Sequence, residues 1–137
     1  ATDSVEKISA GAERQRRYRA MKKWRAAPTE ESLWGVVQAY AGAQFKTYSG
    51  LGFSYQLRRG RNGEFTRELW IDRREQSKSL AWSSVMLALG KLPGGGRPLV
   101  QRPKDLGDIR GISYIYAMFY RFGIIDVPEK VKAKMGR

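Results

Sequence analysis

The sequence predicts an α+β fold: a basic N-terminal helix, a second helix, a β-hairpin and two further helices in one small domain. Three observations lead to it. Asn62-Gly63 sits between two runs in which apolar and polar residues alternate, as in antiparallel strands joined by a tight turn. Leu33, Val36, Val37 and Tyr40 fall at i, i+3, i+4 and i+7, the stripe of a core-facing helix. The stretch "ISYIYAMFYRFG" reads as a buried helix stopped by a left-handed cap at Gly123. A chain of 137 residues is long enough to bury a real core. Its organisation reads as a basic helical arm at 1–27, a compact α+β domain at 28–125 and a basic C-terminal tail at 126–137.

The first helix is expected from Ser4, a possible N-cap, to Ala27, where Pro28 ends it; Gly11 is a point of division. Along it Tyr18, Met21 and Trp24 recur at intervals of three, a narrow apolar line expected to dock. Thr29 caps the second helix, Glu30 and Glu31 favour the positive end of its dipole, and Gly42 or Gly50 closes it or its loop. In the hairpin, a two-residue turn would mix the two faces. A three-residue loop at 62–64 pairs Leu57 with Leu69, Tyr55 with Ile71 and Arg58 with Glu68, keeping one face apolar. The stretch "SKSL" then reads as the start of a third helix, with Ser77 or Ser79 as cap and Leu80 to Leu92 as body, apolar nearly all round. "PGGGRPLVQRPKDLGDIRG" is a long connection, expected to be mobile at Gly94 to Gly96.

Charge narrows the function classes. Lys and Arg number 26 against 13 Asp and Glu, a net charge of +13 that a polyanionic partner would relieve. The absence of Cys and His removes disulfides, thiol nucleophiles, thiolate metal sites and the commonest general base. No segment has the apolar core of a signal peptide or the length to span a bilayer, and "GISYIYAMFYRFGII" is too short and carries Arg121. The expectation is a cytoplasmic or nucleoid-associated protein, not secreted and without a membrane partner.

The basic residues form two groups. Arg14, Arg16, Arg17, Arg19, Lys22, Lys23 and Arg25 make seven of twelve arm residues basic with no acid between them, suited to phosphate oxygens and counterion release. Arg58, Arg59, Arg61, Arg67, Arg73 and Arg74 decorate the hairpin, a ribbon of the kind that enters a major groove. The competing readings are a solvated helix face, a subunit contact and a cross-strand pair. Ser77, Lys78 and Ser79 place a cation and hydroxyls where a helix start would hold an anion, with Trp82, Ser83 and Ser84 as exposed reading positions; plain capping is the alternative. The aromatic cluster Tyr114, Tyr116, Phe119, Tyr120 and Phe122 is expected to be core rather than a stacking platform, with Tyr114 and Tyr120 closest to the surface. Glu64, Glu68, Asp72 and Glu75 with Lys78 raise a Mg²⁺-dependent nuclease, but their spacing matches no ligand set. The expected function is nucleic-acid binding, duplex DNA in preference to RNA, with no catalytic residue, metal or cofactor. A basic subunit of a ribonucleoprotein or other assembly, with a protein partner or in a homo-oligomer, is the second reading.

Overall fold

The first helix, α1 (Ala10–Ala26), and the second, α2 (Glu30–Ala39), are joined by a three-residue turn that ends in a capping box. Thr29 Oγ1 accepts from the Ser32 N–H at 3.1 Å, and the Thr29 N–H donates to Ser32 Oγ at 2.9 Å. The computed structural model describes residues 10–72, 78–93 and 96–135. Ser4, Arg73, Arg74, Glu75, Ser77, Gly94 and Gly95 lie outside them. The chain's contacts divide it into two units, Ala1–Tyr40 and Ala41–Arg137.

Within the first unit, α1 packs on α2 with Met21 and Trp24 of the expected apolar line turned inward, but not Tyr18. Tyr18 is 58% exposed, whereas Glu13, Arg17, Ala20, Met21 and Trp24, a set at helical period, are half-buried. The reason is Arg17. Its Nε donates to the Ala39 carbonyl at 3.1 Å, its Nη2 reaches Glu13 at 3.2 Å, and its guanidinium lies 5.2 Å from the centre of the Tyr40 ring. Capping the last carbonyls of α2 and stacking on an aromatic outweighs burying Tyr18. Arg16 adds a bond to the Gln38 carbonyl at 3.2 Å, and the Tyr40 hydroxyl meets the Met21 sulfur at 3.1 Å.

The second unit is built on a four-stranded antiparallel sheet in the order β1 (Phe45–Lys46), β2 (Gly52–Arg59), β3 (Phe65–Asp72), β4 (Lys78–Ala81). Phe45, Phe53, Tyr55, Leu69, Ile71 and Leu80 are buried on one face. The hairpin has the expected central register, Tyr55 opposite Ile71 and Leu57 opposite Leu69. Beyond it the ladder shifts to Arg59 opposite Phe65, so the Arg58–Glu68 pair does not form. The bulge frees Arg58 to lie 3.8 Å from the centre of the Trp70 ring.

"SKSL" is a strand. Trp70 pairs with Ser79 and Leu69 with Leu80, so β4 continues the alternation of β3 and buries Leu80 on the core face. The next helix, α3 (Trp82–Leu89), starts later, at Ala81, with no side-chain cap, and ends three residues before Leu92. Burying one leucine in sheet register is a larger gain than the cap a serine would supply. Trp82 is buried, so it is not an exposed reading position; Leu87 takes the outer side at 61% exposure.

The long connection is ordered over much of its length. Val100 N–H donates to the Asp126 carbonyl and Asp126 N–H to the Pro98 carbonyl, each at 2.9 Å, and Arg97 Nε donates to the Ile125 carbonyl at 3.0 Å. A turn of 3₁₀ helix at Pro103–Leu106 buries Leu106. Helix α4 (Ile112–Arg121) buries Ile115 to Tyr120 without a break. Gly123 closes it at φ 80°, with Ile124 N–H reaching back to the Phe119 carbonyl at 2.9 Å. Residues 126–137, expected as a tail, include a short helix, α5 (Glu129–Met135), that buries Val131 and Met135. There Lys132 bridges Asp126 at 3.3 Å and Glu129 at 3.0 Å. Among the described residues no helix is long and apolar enough to cross a membrane.

The Tyr116 hydroxyl donates to the Val100 carbonyl at 2.6 Å inside the core. Burial first, then Tyr48, Asp105 and Asp126, pushes its ionisation well above the ordinary phenol range. In the unfolded chain the phenol ionises near pH 10, so above that pH the unfolded state sheds a proton that the native state keeps. Stability is therefore expected to fall as pH rises above about 10. Tyr116→Phe should cost about 1 kcal/mol at neutral pH and make that alkaline loss shallower, read by urea unfolding across pH 8–11. An unchanged alkaline slope would remove Tyr116 as its source.

Candidate nucleic-acid interface

The arm residues have two kinds of surroundings. Arg17, and in part Arg16, hold the end of α2 as described, so they serve the fold. Arg14, Arg19, Lys22, Lys23 and Arg25 are exposed, and among the described residues none of the five is in an ion pair. At 3.6 residues per turn Arg14, Tyr18, Lys22 and Arg25 follow one another along a single stripe, with Arg19 and Lys23 beside it. Tyr18 thus stands in the middle of the charge instead of in a packed contact. The Lys22 ammonium lies 5.8 Å from the centre of its ring. Glu13 is the acid nearest this run, and it is tied to Arg17.

The hairpin carries its cations on aromatic rings. Trp70 is half-buried on the sheet face opposite the core, between Gln56 on β2 and Ser79 on β4, and Arg58 covers it. Arg59 lies 4.3 Å from the centre of the Phe65 ring and donates to the Gly63 carbonyl at 2.7 Å. Arg61 is exposed in the loop. Arg67 points toward Trp82, 5.7 Å from its ring centre. A guanidinium stacked on an aromatic keeps its in-plane donors for phosphate or a base edge while its face is already occupied. Trp70 was not singled out from the sequence, although the pairing of position 56 with 70 already places it on the polar face.

Lys78 is exposed, but on β4 opposite Ile71, not at the start of a helix. The anion site read from "SKSL" as a helix N-terminus therefore does not exist. Lys78 instead lines a cleft of about 590 Å³ with Ser79, Ser84, Arg110, Ser113 and Tyr114. Arg110, in the long connection, had no motif to mark it.

The carboxylates do not converge. Glu68 and Asp72 alternate with Trp70 on the outer face, Glu64 is exposed in the loop, and no three acidic side chains among the described residues gather where a metal ion would sit. The α4 aromatics are core, as expected: Tyr116, Phe119, Tyr120 and Phe122 are buried, and Tyr114 is half-buried with its ring edge-on to Phe53 at 5.0 Å. No protein-family model, no curated protein and no solved structure matches this chain.

Proposed function

We propose that the protein binds nucleic acid through the solvent face of α1, with the Arg-rich hairpin as a second contact. The observation that carries this reading is the group of five exposed cations on α1, Arg14, Lys22 and Arg25 in line with the exposed Tyr18 and Arg19 and Lys23 beside them, none in an ion pair among the described residues. Guanidinium and ammonium groups bind backbone phosphates by displacing condensed counterions. Duplex DNA is the preferred partner, because a helix and a two-stranded ribbon carry the charge rather than an aromatic strand platform. Such a role belongs in the cytoplasm or nucleoid.

The test is a titration of duplex DNA, single-stranded DNA and duplex RNA with the full chain over a range of salt. Five phosphate contacts on duplex DNA should give a log–log slope of about −4.5. A slope near zero for all three would overturn the proposal. Tight binding confined to a cellular RNA or protein partner would favour the ribonucleoprotein subunit instead.

A further inference from the structure

We propose that the cleft bounded by β4, α3 and the start of α4 is a phosphate-ester site that takes a nucleotide. It lies wholly within the second unit and stands independently of the α1 reading. Two cations of different geometry line it, Lys78 from β4 and Arg110 from the connection before α4. Among the described residues neither is in an ion pair and no carboxylate lines the cleft. Ser84 from α3 and Ser113 from α4 add hydroxyls. An ammonium, a planar guanidinium fork and hydroxyl donors are the set that a phosphate's three free oxygens accept from.

The rest of the lining suits an organic group. Ile71, Leu80 and Ala81 are apolar, and Tyr114 supplies an aromatic ring. At about 590 Å³ the cleft falls within the usual range of small-ligand sites and exceeds what a bare phosphate needs. Gly111 suits the close approach of the start of α4 to β4: its φ is 81°, and a Cβ there would stand 2.6 Å from Leu80 Cδ1, so a larger residue would need Leu80 to shift. A cleft lined by two cations, hydroxyls, apolar side chains and an aromatic ring suits a nucleotide, free or at the end of a strand.

Calorimetric titration of the full chain with a nucleoside 5′-monophosphate, the matching nucleoside, and an oligonucleotide bearing a 5′-phosphate or a 5′-hydroxyl tests this. The monophosphate should bind at least about tenfold more tightly than the nucleoside, the difference one charge-assisted contact makes. Lys78→Gln with Arg110→Gln should remove that preference while leaving the melting temperature unchanged, since both side chains are exposed. The substitutions Arg14→Ala, Lys22→Ala and Arg25→Ala should leave mononucleotide binding intact, which separates this site from the α1 interface. Preference for the 5′-phosphorylated oligonucleotide over the mononucleotide assigns the cleft to strand ends; the reverse assigns it to free nucleotide. Equal affinity for nucleoside and monophosphate, no monophosphate binding, or binding insensitive to the Lys78 and Arg110 substitutions overturns the proposal.

Discussion

Replacing Arg14, Lys22, Lys23 and Arg25 together by Ala is expected to lower the salt dependence of duplex binding by about 3.6 in log–log slope, and the affinity itself on the order of 10³-fold at 0.1 M salt. The fold should survive. All four side chains are exposed on α1, none is in an ion pair among the described residues, and Ala is the strongest helix former. Arg17→Ala is the contrasting variant. It removes the bond to the Ala39 carbonyl, the Glu13 pair and the stacking on Tyr40, so it should lower the stability of the α1–α2 hairpin. Salt-dependent binding isotherms and denaturant unfolding of both proteins give the answer. Unchanged affinity in the fourfold variant would mean that α1 is not the contact surface.

Gly111→Ala should destabilise the protein by about 2–5 kcal/mol, the sum of a left-handed backbone penalty and overpacking against a buried leucine. Gly111 has φ 81°, and the added Cβ would stand 2.6 Å from Leu80 Cδ1, which is buried between the sheet and the start of α4. Gly63 separates the two terms, because it has the same φ of 81° in the hairpin loop with nothing within 4 Å of an added Cβ. Gly63→Ala should therefore cost only the backbone part, about 1–2 kcal/mol. Urea unfolding of the two variants reads the difference. Equal losses would show that Leu80 gives way freely and that packing at Gly111 contributes nothing.

The hairpin illustrates what was legible and where legibility ended. Alternation along both strands has only one register that keeps Tyr55, Leu57, Leu69 and Ile71 together, and the chain adopts it. The same register places Trp70 opposite Gln56 and so on the outer face. Near the turn, alternation is silent about a bulge, since the gain comes from where Arg58 comes to rest, on a ring twelve residues away. At "SKSL" the local signals were ambiguous. Four residues are too few to show a period, and serine serves equally well before a helix or on the outer side of an edge strand.

In the arm, the sequence by itself determined that a helix there would carry dense positive charge, because composition and helical propensity act locally. Which side of that helix faces solvent was a tertiary matter. Apolar spacing favoured Tyr18, Met21 and Trp24, but Arg17 reaches the open carbonyl at the end of α2 and the Tyr40 ring, and that contact turned Tyr18 outward among the cations. The same division holds for the cleft. The sequence by itself marked Lys78 within "SKSL" and gave no motif for Arg110, 32 positions further along the chain. Only the folded chain brings them to one cavity, because β4 pairs with β3 and a glycine at 111 lets α4 begin against Leu80. Charge, capping and periodicity are properties of neighbouring residues; convergence of distant side chains depends on pairing and close approach, which no local pattern encodes.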